Sequence, residues 1–589
     1  MFEFTKDIEQ IILKHALLNA YKHGGKAQIN AVLSKFLSEL PQYRVHVKTI
    51  LPYVEKIVAE VNNMPIEVQK DILSKNWPET LASTKPVVEE KRLPPLPNVD
   101  RVKLVKTRFA PNPDAPLHLG SARPIILCYE YAKMYNGKFV LRFEDTDPKT
   151  KPPVLEFYEM IKEDLLWLGA KWDELYIQSD RMQIYYEFSR KLLEMNAAYV
   201  CTCSTDTFKK YKIAAKNCPC RNRSIEENID LWEKMINGFF DEGKAVVRIK
   251  TSMSHPNPSV RDWVAFRIID VKRWPHPRTG DKYCVWPTYN FACAIDDHLM
   301  NITHILRGRE HAINTIKQEY IFNYFGWEYP EAIHFGKMKL SGWILSKSKI
   351  AEGVKHGVYK SWDDPRLGTL AALKRRGFKP EAIRELILSI GIKPTSASIS
   401  LENLYSINRR FVESEANRHF FIPLPLFKLK ILNVTSKLEA RIPLHPSYVE
   451  RGYRTVTVTP IDNILWVYIS ESDAKNLKIG EVYRLMGLLN FRVVKIDYNS
   501  QIVEGFLCDS NVDFLKHKGE QRIIHWLPSE GNVNAIIIMP DATEERGICN
   551  YECINLKINE VIQFMRFGFV KVDKIFFDQS EILFYYLHP

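Results

Sequence analysis

The sequence predicts a multidomain α/β protein, and three observations carry that expectation. From Val102 onward strand-like and helical segments alternate, helical periodicity dominates the first eighty residues and a stretch beyond Ser361, and short β-branched runs fill the last third. At 589 residues the chain exceeds what one hydrophobic core supports, so several modules are expected.

Apolar residues at three-to-four spacing, as in ALLNAYKHGGKAQINAVLSKFLSEL, place a small helical domain over residues 1–80. Prolines and charges in PETLASTKPVVEEKRLPPLPNVD break any periodicity, so 81–100 reads as an extended linker. Over 101–200, VKLVKTRFAPNP gives a strand and a proline-rich loop, SARPIILCYEYAKMYN resumes helical spacing, and KFVLRFEDTD gives a second strand. Strand, loop, helix and strand open a Rossmann-like parallel unit, whose ligand is expected at a strand's carboxyl end beside the next helix's N-terminus. Residues 201–285 form an insert with a cysteine cluster, and 286–350 supply the second half of the unit. TLAALKRRG and PEAIRELILSIG, each ended by glycine, put a helical domain over 351–420. TVTVTP, ILWVYIS, FRVVKI, AIIIMP and GFVKVDKI predict β-barrels over 421–589.

Lysine and arginine number 82 against 70 acids, a net +12 that favours a polyanionic partner without deciding one. The opening MFEFTKDIEQ is acidic, and no apolar run approaches the roughly 20 residues that span a bilayer. No membrane association and a cytoplasmic location are therefore expected. Ten cysteines in so long a chain do not read as a disulfide framework. Cys201-Thr-Cys203 and Cys218-Pro-Cys220 are two C-x-C pairs, a spacing that suits tetrahedral zinc stapling a coreless hairpin, with buried free thiols as the alternative.

The string Arg108-Phe-Ala-Pro-Asn-Pro-Asp-Ala-Pro-Leu-His118-Leu-Gly120-Ser121 joins strand, proline turn and helix start. There an imidazole can donate to phosphate oxygens while Gly120 lets them approach backbone amides. Alone, His118 reads more readily as structural, and Lys347 and Lys349 in ILSKSK as a solvated turn.

The wider strings alter both readings. RFAPNPDAPLHLGSAR, LRFEDTDP, DWVAFRI, PTYNFACAIDDHLMNITHILRGREH and ILSKSK occur in the order seen in class I aminoacyl-tRNA synthetases, and the chain resembles the glutamyl and glutaminyl subgroup over roughly residues 100–420. The first string is similar to that family's HIGH motif and the last to its KMSKS loop. Ala115 stands for the usual glycine, Ser121 for the second histidine, and Ile344 and Leu345 for the first lysine and the methionine. Alanine for glycine matters only if that backbone needs positive φ. IPLHPSYVERGYRTVTV and the helical N-terminal domain resemble the archaeal and eukaryotic branch, with β-barrel anticodon domains.

The resemblance implies a catalytic domain with an acceptor-stem insert, a helical stem-contact domain and ATP with Mg2+. His118, Lys347 and Lys349 are implied as catalytic, and His118, Gly120, Ser121, Glu310 and Lys347 as ATP-binding. Arg108, Glu144, Tyr289 and Arg307 match amino-acid-contacting positions. Arg307 stands where glutamyl members have arginine and glutaminyl members an uncharged residue, and a guanidinium with five donors pairs with a carboxylate but faces an amide NH2 badly. L-glutamate and tRNA(Glu) are therefore the expected substrates, with activation of glutamate expected only when tRNA is bound. A surface-facing Arg307 and a helix-start role for Glu310 are the structural alternatives. The Asp296-Asp297-His298 triplet reads as structural, a two-aspartate turn capping a helix rather than a metal site. Charging of tRNA(Gln) and a protein partner of the N-terminal domain stay open, as do a glutaminyl enzyme and a non-catalytic tRNA-binding relative.

Overall fold

The computed structural model describes residues 6–22, 25–77, 93–340, 342–343, 347–509 and 523–589, and the chain divides into two units, 1–92 and 93–589. The first unit holds the helices Lys6–Lys22, Ile29–Glu39, Val47–Asn62 and Ile66–Asn76. Ile8, Ile12, Ala16 and Ala20 recur at helical spacing and are all buried against Val54, Val58 and Val61. One polar side chain fastens this core: buried Gln69 donates from Nε2 to the carbonyls of Gly25, Val61 and Met64 at 3.0, 2.8 and 3.1 Å.

Residues 81–92 of the expected linker lie outside the described residues. Its described end does not run free, because Leu93 and Leu96 are buried in the core of the second unit and Tyr131 Oη donates to Pro94 O at 2.9 Å.

In the second unit the strands Lys106–Phe109, Lys138–Phe143 and Glu174–Ile177 form a parallel sheet, and His304–Gly308 pairs in parallel with Glu331–Phe335. The two sheets meet where Thr303 N donates to Lys106 O at 2.9 Å and Lys106 N to Thr303 Oγ1 at 2.8 Å. The helix Leu119–Met134 covers the first strand with Ala122, Ile125, Ile126 and Tyr131. Strands of such sheets are buried on both faces, which is why FVLRF reads as nearly continuous apolar sequence. The chain thus changes direction between Lys106–Phe109 and His304–Gly308, and this kind of fold opens its ligand crevice at the carboxyl ends of the strands flanking that point.

The insert is a four-stranded antiparallel sheet of Ala198–Cys201, Val246–Ile249, Val264–Ile268 and Val285–Pro287, packed through Trp232, Phe266 and Trp286. Beyond it the helices Leu370–Arg376 and Pro380–Ile390 end at Gly377 and Gly391, both with positive φ, before the helix Leu401–Val412.

The last third forms two barrel-like seven-stranded sheets. They are interleaved in sequence: Arg418–His419 and Phe421–Pro423 start one sheet, strands between Leu426 and Pro528 build the other apart from the separate hairpin Leu438–Pro443 and Tyr453–Val458, and Val533–Ile538 through Glu581–His588 complete the first. That first sheet docks on the helices through Arg376 Nη2 to Leu587 O at 2.7 Å and Lys571 Nζ to Lys374 O at 2.8 Å. Among the described residues no helix is long and apolar enough to cross a membrane.

Replacing Gln69 by leucine removes the side-chain donor to the Gly25, Val61 and Met64 carbonyls. It is expected to cost about 1–3 kcal/mol and to accelerate amide exchange in the N-terminal helices, measured by hydrogen exchange on the full chain, while leaving exchange in residues 93–589 unchanged.

Candidate active site

A cleft of about 1050 Å3 opens at this crossover. Arg108 lies near the end of the first strand, Glu144 follows the second, Arg307 lies near the end of His304–Gly308, and all three line it. The alternating chain thus delivers its chemistry from strand ends, as the sequence order predicts.

His118 is the residue preceding the helix Leu119–Met134, and its Nδ1 accepts a hydrogen bond from Ser121 N at 3.2 Å. An accepting Nδ1 leaves the neutral ring's proton on Nε2, a donor available to an anion. Burial, reinforced by the Lys347 ammonium, pulls the imidazole down from 6.5 to about 4. Gly120 enforces this placement, since a Cβ there would lie 2.8 Å from His118 Cε1 and 2.9 Å from Nδ1. The turn is pinned from outside by Leu119 N to Gly368 O and Leu370 N to Leu117 O, both 2.9 Å. Ala115, in the glycine position of the motif, is buried and has no positive φ, so the replacement is sterically neutral.

Lys347 opens the helix Lys347–Lys355, lines the cleft, and places Nζ 3.0 Å from Asp114 Oδ1. Lys349 is exposed and is not among the cleft-lining residues. Ile344 and Leu345 lie outside the described residues. Ser121 and Tyr289 line the cleft, as does Glu310, whose carboxylate folds over the Gly308 backbone.

Beneath the floor lies a buried ion network. Asp297 accepts from Arg108 Nε and Nη2 at 2.9 and 3.1 Å and from Arg142 Nη1 at 2.7 Å. Arg142 Nη2 also donates to Glu144 at 2.8 Å, and Cys293 Sγ donates to the same oxygen at 2.9 Å. Burial alone would raise the Asp297 carboxyl, but Arg108 and Arg142 hold it at about 2. Asp296 accepts from Gln178, Arg181 and Tyr185. The aspartate pair is therefore structural, but not as a helix cap: it occupies the last turns of the helix Tyr289–Leu299, where the charges are tolerated because buried arginines face them. His298 stacks on Trp327 with ring centroids 3.6 Å apart.

Arg307 is held differently. It is 6% exposed, and its guanidinium donates to Gln318 Oε1 at 3.1 and 3.2 Å, to Thr315 Oγ1 at 2.7 Å and to Tyr329 Oη at 3.2 Å. Among the described residues no carboxylate pairs with it, and its Nε has no partner. A buried charge left without its partner costs about 3–5 kcal/mol, so this group is poised for an anion in the cleft. The surface-facing alternative for Arg307 does not hold.

In the insert, Cys201, Cys203, Cys218 and Cys220 bring their sulfurs within 4.8 Å of one another, with Cys201–Cys218 at 4.0 Å and Cys203–Cys220 at 3.6 Å. Tetrahedral zinc with Zn–S near 2.3 Å requires sulfurs about 3.8 Å apart, so the four thiols fit that ion. Among the described residues this is the one such group of metal-ligating side chains.

Sequence reasoning missed the supports: Thr315, Gln318 and Tyr329 behind Arg307, Asp297 behind Arg108, and Asp114 against Lys347. Asp297 and Asp114 stood inside motif strings. Thr315 and Gln318 carry no signal except their spacing on one face of the helix Ala312–Phe325.

A parallel nucleotide fold with a neutral histidine at a helix start, a lysine opening the facing helix and arginines at the strand ends defines an ATP-dependent ligase of the class I synthetase type. The family model for class I tRNA synthetases (E and Q), catalytic domain, matches residues 104–413, and the corresponding anticodon-binding models match 416–511 and 523–573. The chain belongs to this family. Glutamate–tRNA ligase of Pyrococcus furiosus is 48% identical over 589 residues, covering 99% of this chain and 100% of that protein. The glutamate–tRNA ligases of Thermofilum pendens and Thermococcus kodakarensis are 49% and 46% identical, covering 96% and 97% of this chain and 98% of each relative.

Gly120→Ala pushes the imidazole off Ser121 and is expected to lower kcat by about 10²-fold, the effect of losing one transition-state donor, with an unchanged melting temperature. Because the folded His118 resists protonation between 6.5 and 4 while the unfolded chain does not, this residue's contribution destabilises the protein as pH falls through that window. NMR titration of labelled histidines in the free protein is expected to place it near 4, moving upward in Lys347→Met.

Proposed function

We infer that the protein ligates L-glutamate to tRNA(Glu) in two ATP-dependent steps. The observation that carries the choice of amino acid is Arg307, buried at the cleft and lacking a protein carboxylate. An oxygen of the glutamate α-carboxylate attacks the α-phosphorus of ATP, the bond to the β-phosphate oxygen breaks, and pyrophosphate leaves. The terminal ribose hydroxyl of tRNA then attacks the activated carbonyl, its proton departs, and AMP leaves.

The placement of side chains supports a division of labour. His118 donates from Nε2 to phosphate oxygens, Gly120 presents its backbone at the helix start, and Ser121 offers its hydroxyl. Lys347 exchanges Asp114 for phosphate charge, Lys349 adds charge from the exposed side of the same helix, and Glu310 accepts from ribose hydroxyls. Arg307 meets the γ-carboxylate, Glu144 the substrate ammonium, and Arg108 and Tyr289 fill the remaining wall. Displacement at phosphorus needs positioning and charge stabilisation more than proton transfer, which matches a site with a neutral histidine and several fixed cations. Mg2+ arrives bound to ATP, since it keeps most of its waters and uses substrate oxygens.

The four cysteines hold one zinc, which when bound supplies a structural cross-link for the insert. Lys209, Lys210, Lys212, Arg221 and Arg223 surround that hairpin and favour contact with the tRNA acceptor end. The cytoplasm, where ATP and tRNA meet, is the expected location, and the ten free cysteines accord with a reducing compartment. Charging of tRNA(Gln) and a protein partner of the N-terminal helices are narrower proposals, read by charging assays with purified tRNA(Gln) and by pull-down with residues 1–92 deleted.

ATP–pyrophosphate exchange with tRNA(Glu) present is expected with glutamate and weaker by 10²-fold or more with glutamine. Exchange with glutamine alone would make this a glutaminyl enzyme, and none with either amino acid would make it a non-catalytic tRNA-binding protein. Elemental analysis is expected to find one zinc per chain. Cys218→Ser or Cys220→Ser is expected to lose the metal and raise KM for tRNA while leaving KM for glutamate within about twofold.

A further inference from the structure

We propose that Gln318 is the positioning residue that sets specificity for an anionic amino-acid side chain, by fixing the Arg307 guanidinium with a neutral oxygen and so leaving its charge to the substrate. The proposal rests on the glutamate reading above and identifies what makes Arg307 selective.

The argument begins from a contrast between neighbouring arginines. Arg108 and Arg142 share Asp297, Arg142 also takes Glu144, and Arg181 takes Asp296. Each of these charges faces a carboxylate within the protein. Arg307 is as buried, yet every acceptor it meets is neutral: the amide of Gln318, the hydroxyl of Thr315 and the phenol of Tyr329.

Gln318 occupies the centre of that arrangement. It is fully buried, and its Oε1 accepts two bonds from Arg307 and a third from Tyr329 Oη at 2.7 Å. Its Nε2 points the other way, 3.4 Å from Asn290 Oδ1, and Asn290 lines the cleft. The amide is thus oriented by partners at both ends, with the oxygen toward the guanidinium. A glutamate at this position would be nearly isosteric, would pair bidentately with Arg307, and would cancel the charge internally.

The surroundings guard that charge against the opposite error. The His311 and His334 rings both feel the Arg307 charge, and both are shifted toward the neutral form, first by burial and then by Arg307 itself, His311 to about 4. His334 Nε2 lies 3.2 Å from Thr315 Oγ1, so it takes part in the same neutral shell. Arg108 also lines the cleft and its charge reaches His311, but Asp297 already pairs with it, whereas among the described residues no carboxylate pairs with Arg307. A neutral amide substrate would face a buried guanidinium with no countercharge, whereas a carboxylate supplies one.

The test is steady-state aminoacylation of tRNA(Glu) by the full-length protein with glutamate and with glutamine, for wild type, Gln318→Glu and Gln318→Met. Gln318→Glu is expected to raise KM for glutamate on the order of 10²-fold, to keep KM for ATP and tRNA within about twofold, and to shrink the preference for glutamate over glutamine by a similar factor. Gln318→Met keeps the volume and removes the acceptor without adding charge, so it is expected to raise KM for glutamate roughly 10-fold while retaining the preference. The proposal is overturned if Gln318→Glu keeps the wild-type KM for glutamate, if KM for ATP and tRNA rise equally, or if both variants lose the same discrimination. A wild type that itself prefers glutamine overturns the glutamate reading and the proposal together. Should Gln318→Glu not fold, Gln318→Met decides alone, and a lost preference in that variant overturns the proposal.

Discussion

A positive charge buried without a protein anion is the constraint around which this cleft is organised. Removing Arg307 from water is unfavourable unless a carboxylate reaches it, and the fold supplies neutral acceptors instead. On the proposed reading, the unfavourable free energy is offset when the substrate's carboxylate binds, which converts a cost of folding into selectivity. Everything else near the site keeps other charges from interfering: Asp297 occupies Arg108 and Arg142, Asp296 occupies Arg181, and the adjacent histidines stay neutral.

The same economy of charge governs the His118 end of the cleft. His118 is held as a donor by one backbone amide, and Gly120 leaves room for its ring. Lys347 rests against Asp114 rather than in open solvent, so its charge is kept at the cleft mouth without being buried. Two hydrogen bonds from the turn to Gly368 and Leu370 tie the nucleotide end to the helices that follow. Those helices in turn dock on the strands Gly568–Phe576 and Glu581–His588 through Lys571 and Arg376. A continuous packed path therefore runs from the catalytic turn to one barrel-like sheet, and it is made of hydrogen bonds to backbone carbonyls.

Much of this was legible in the sequence where local chemistry decides structure. The motif strings placed Arg108, Glu144, Tyr289 and Arg307 together, and the cleft does contain all four. The C-x-C spacing anticipated a cluster because two tight pairs need only one chain reversal to meet, and the glycines after TLAALKRR and PEAIRELILSI marked real helix ends. What stayed hidden depends on contacts between distant elements. Nothing local says that Asp297 faces Arg108, that Gln318 lies behind Arg307, or that Arg418 pairs with Gln563 across an entire intervening sheet. The aspartate pair misled because acids at a helix C-terminus oppose the helix dipole. Only burial beside arginines makes that position favourable, and burial is not a local property.

The central claim is that the Arg307 guanidinium is reserved for the substrate's side-chain carboxylate. A crystal structure with L-glutamate and a non-hydrolysable ATP analogue tests it most directly. The γ-carboxylate is predicted within hydrogen-bonding distance of Arg307, about 2.7–3.1 Å, with Gln318 still bonded behind it. A bound glutamate whose γ-carboxylate pairs elsewhere, with Arg307 still lacking an anion, would contradict the account.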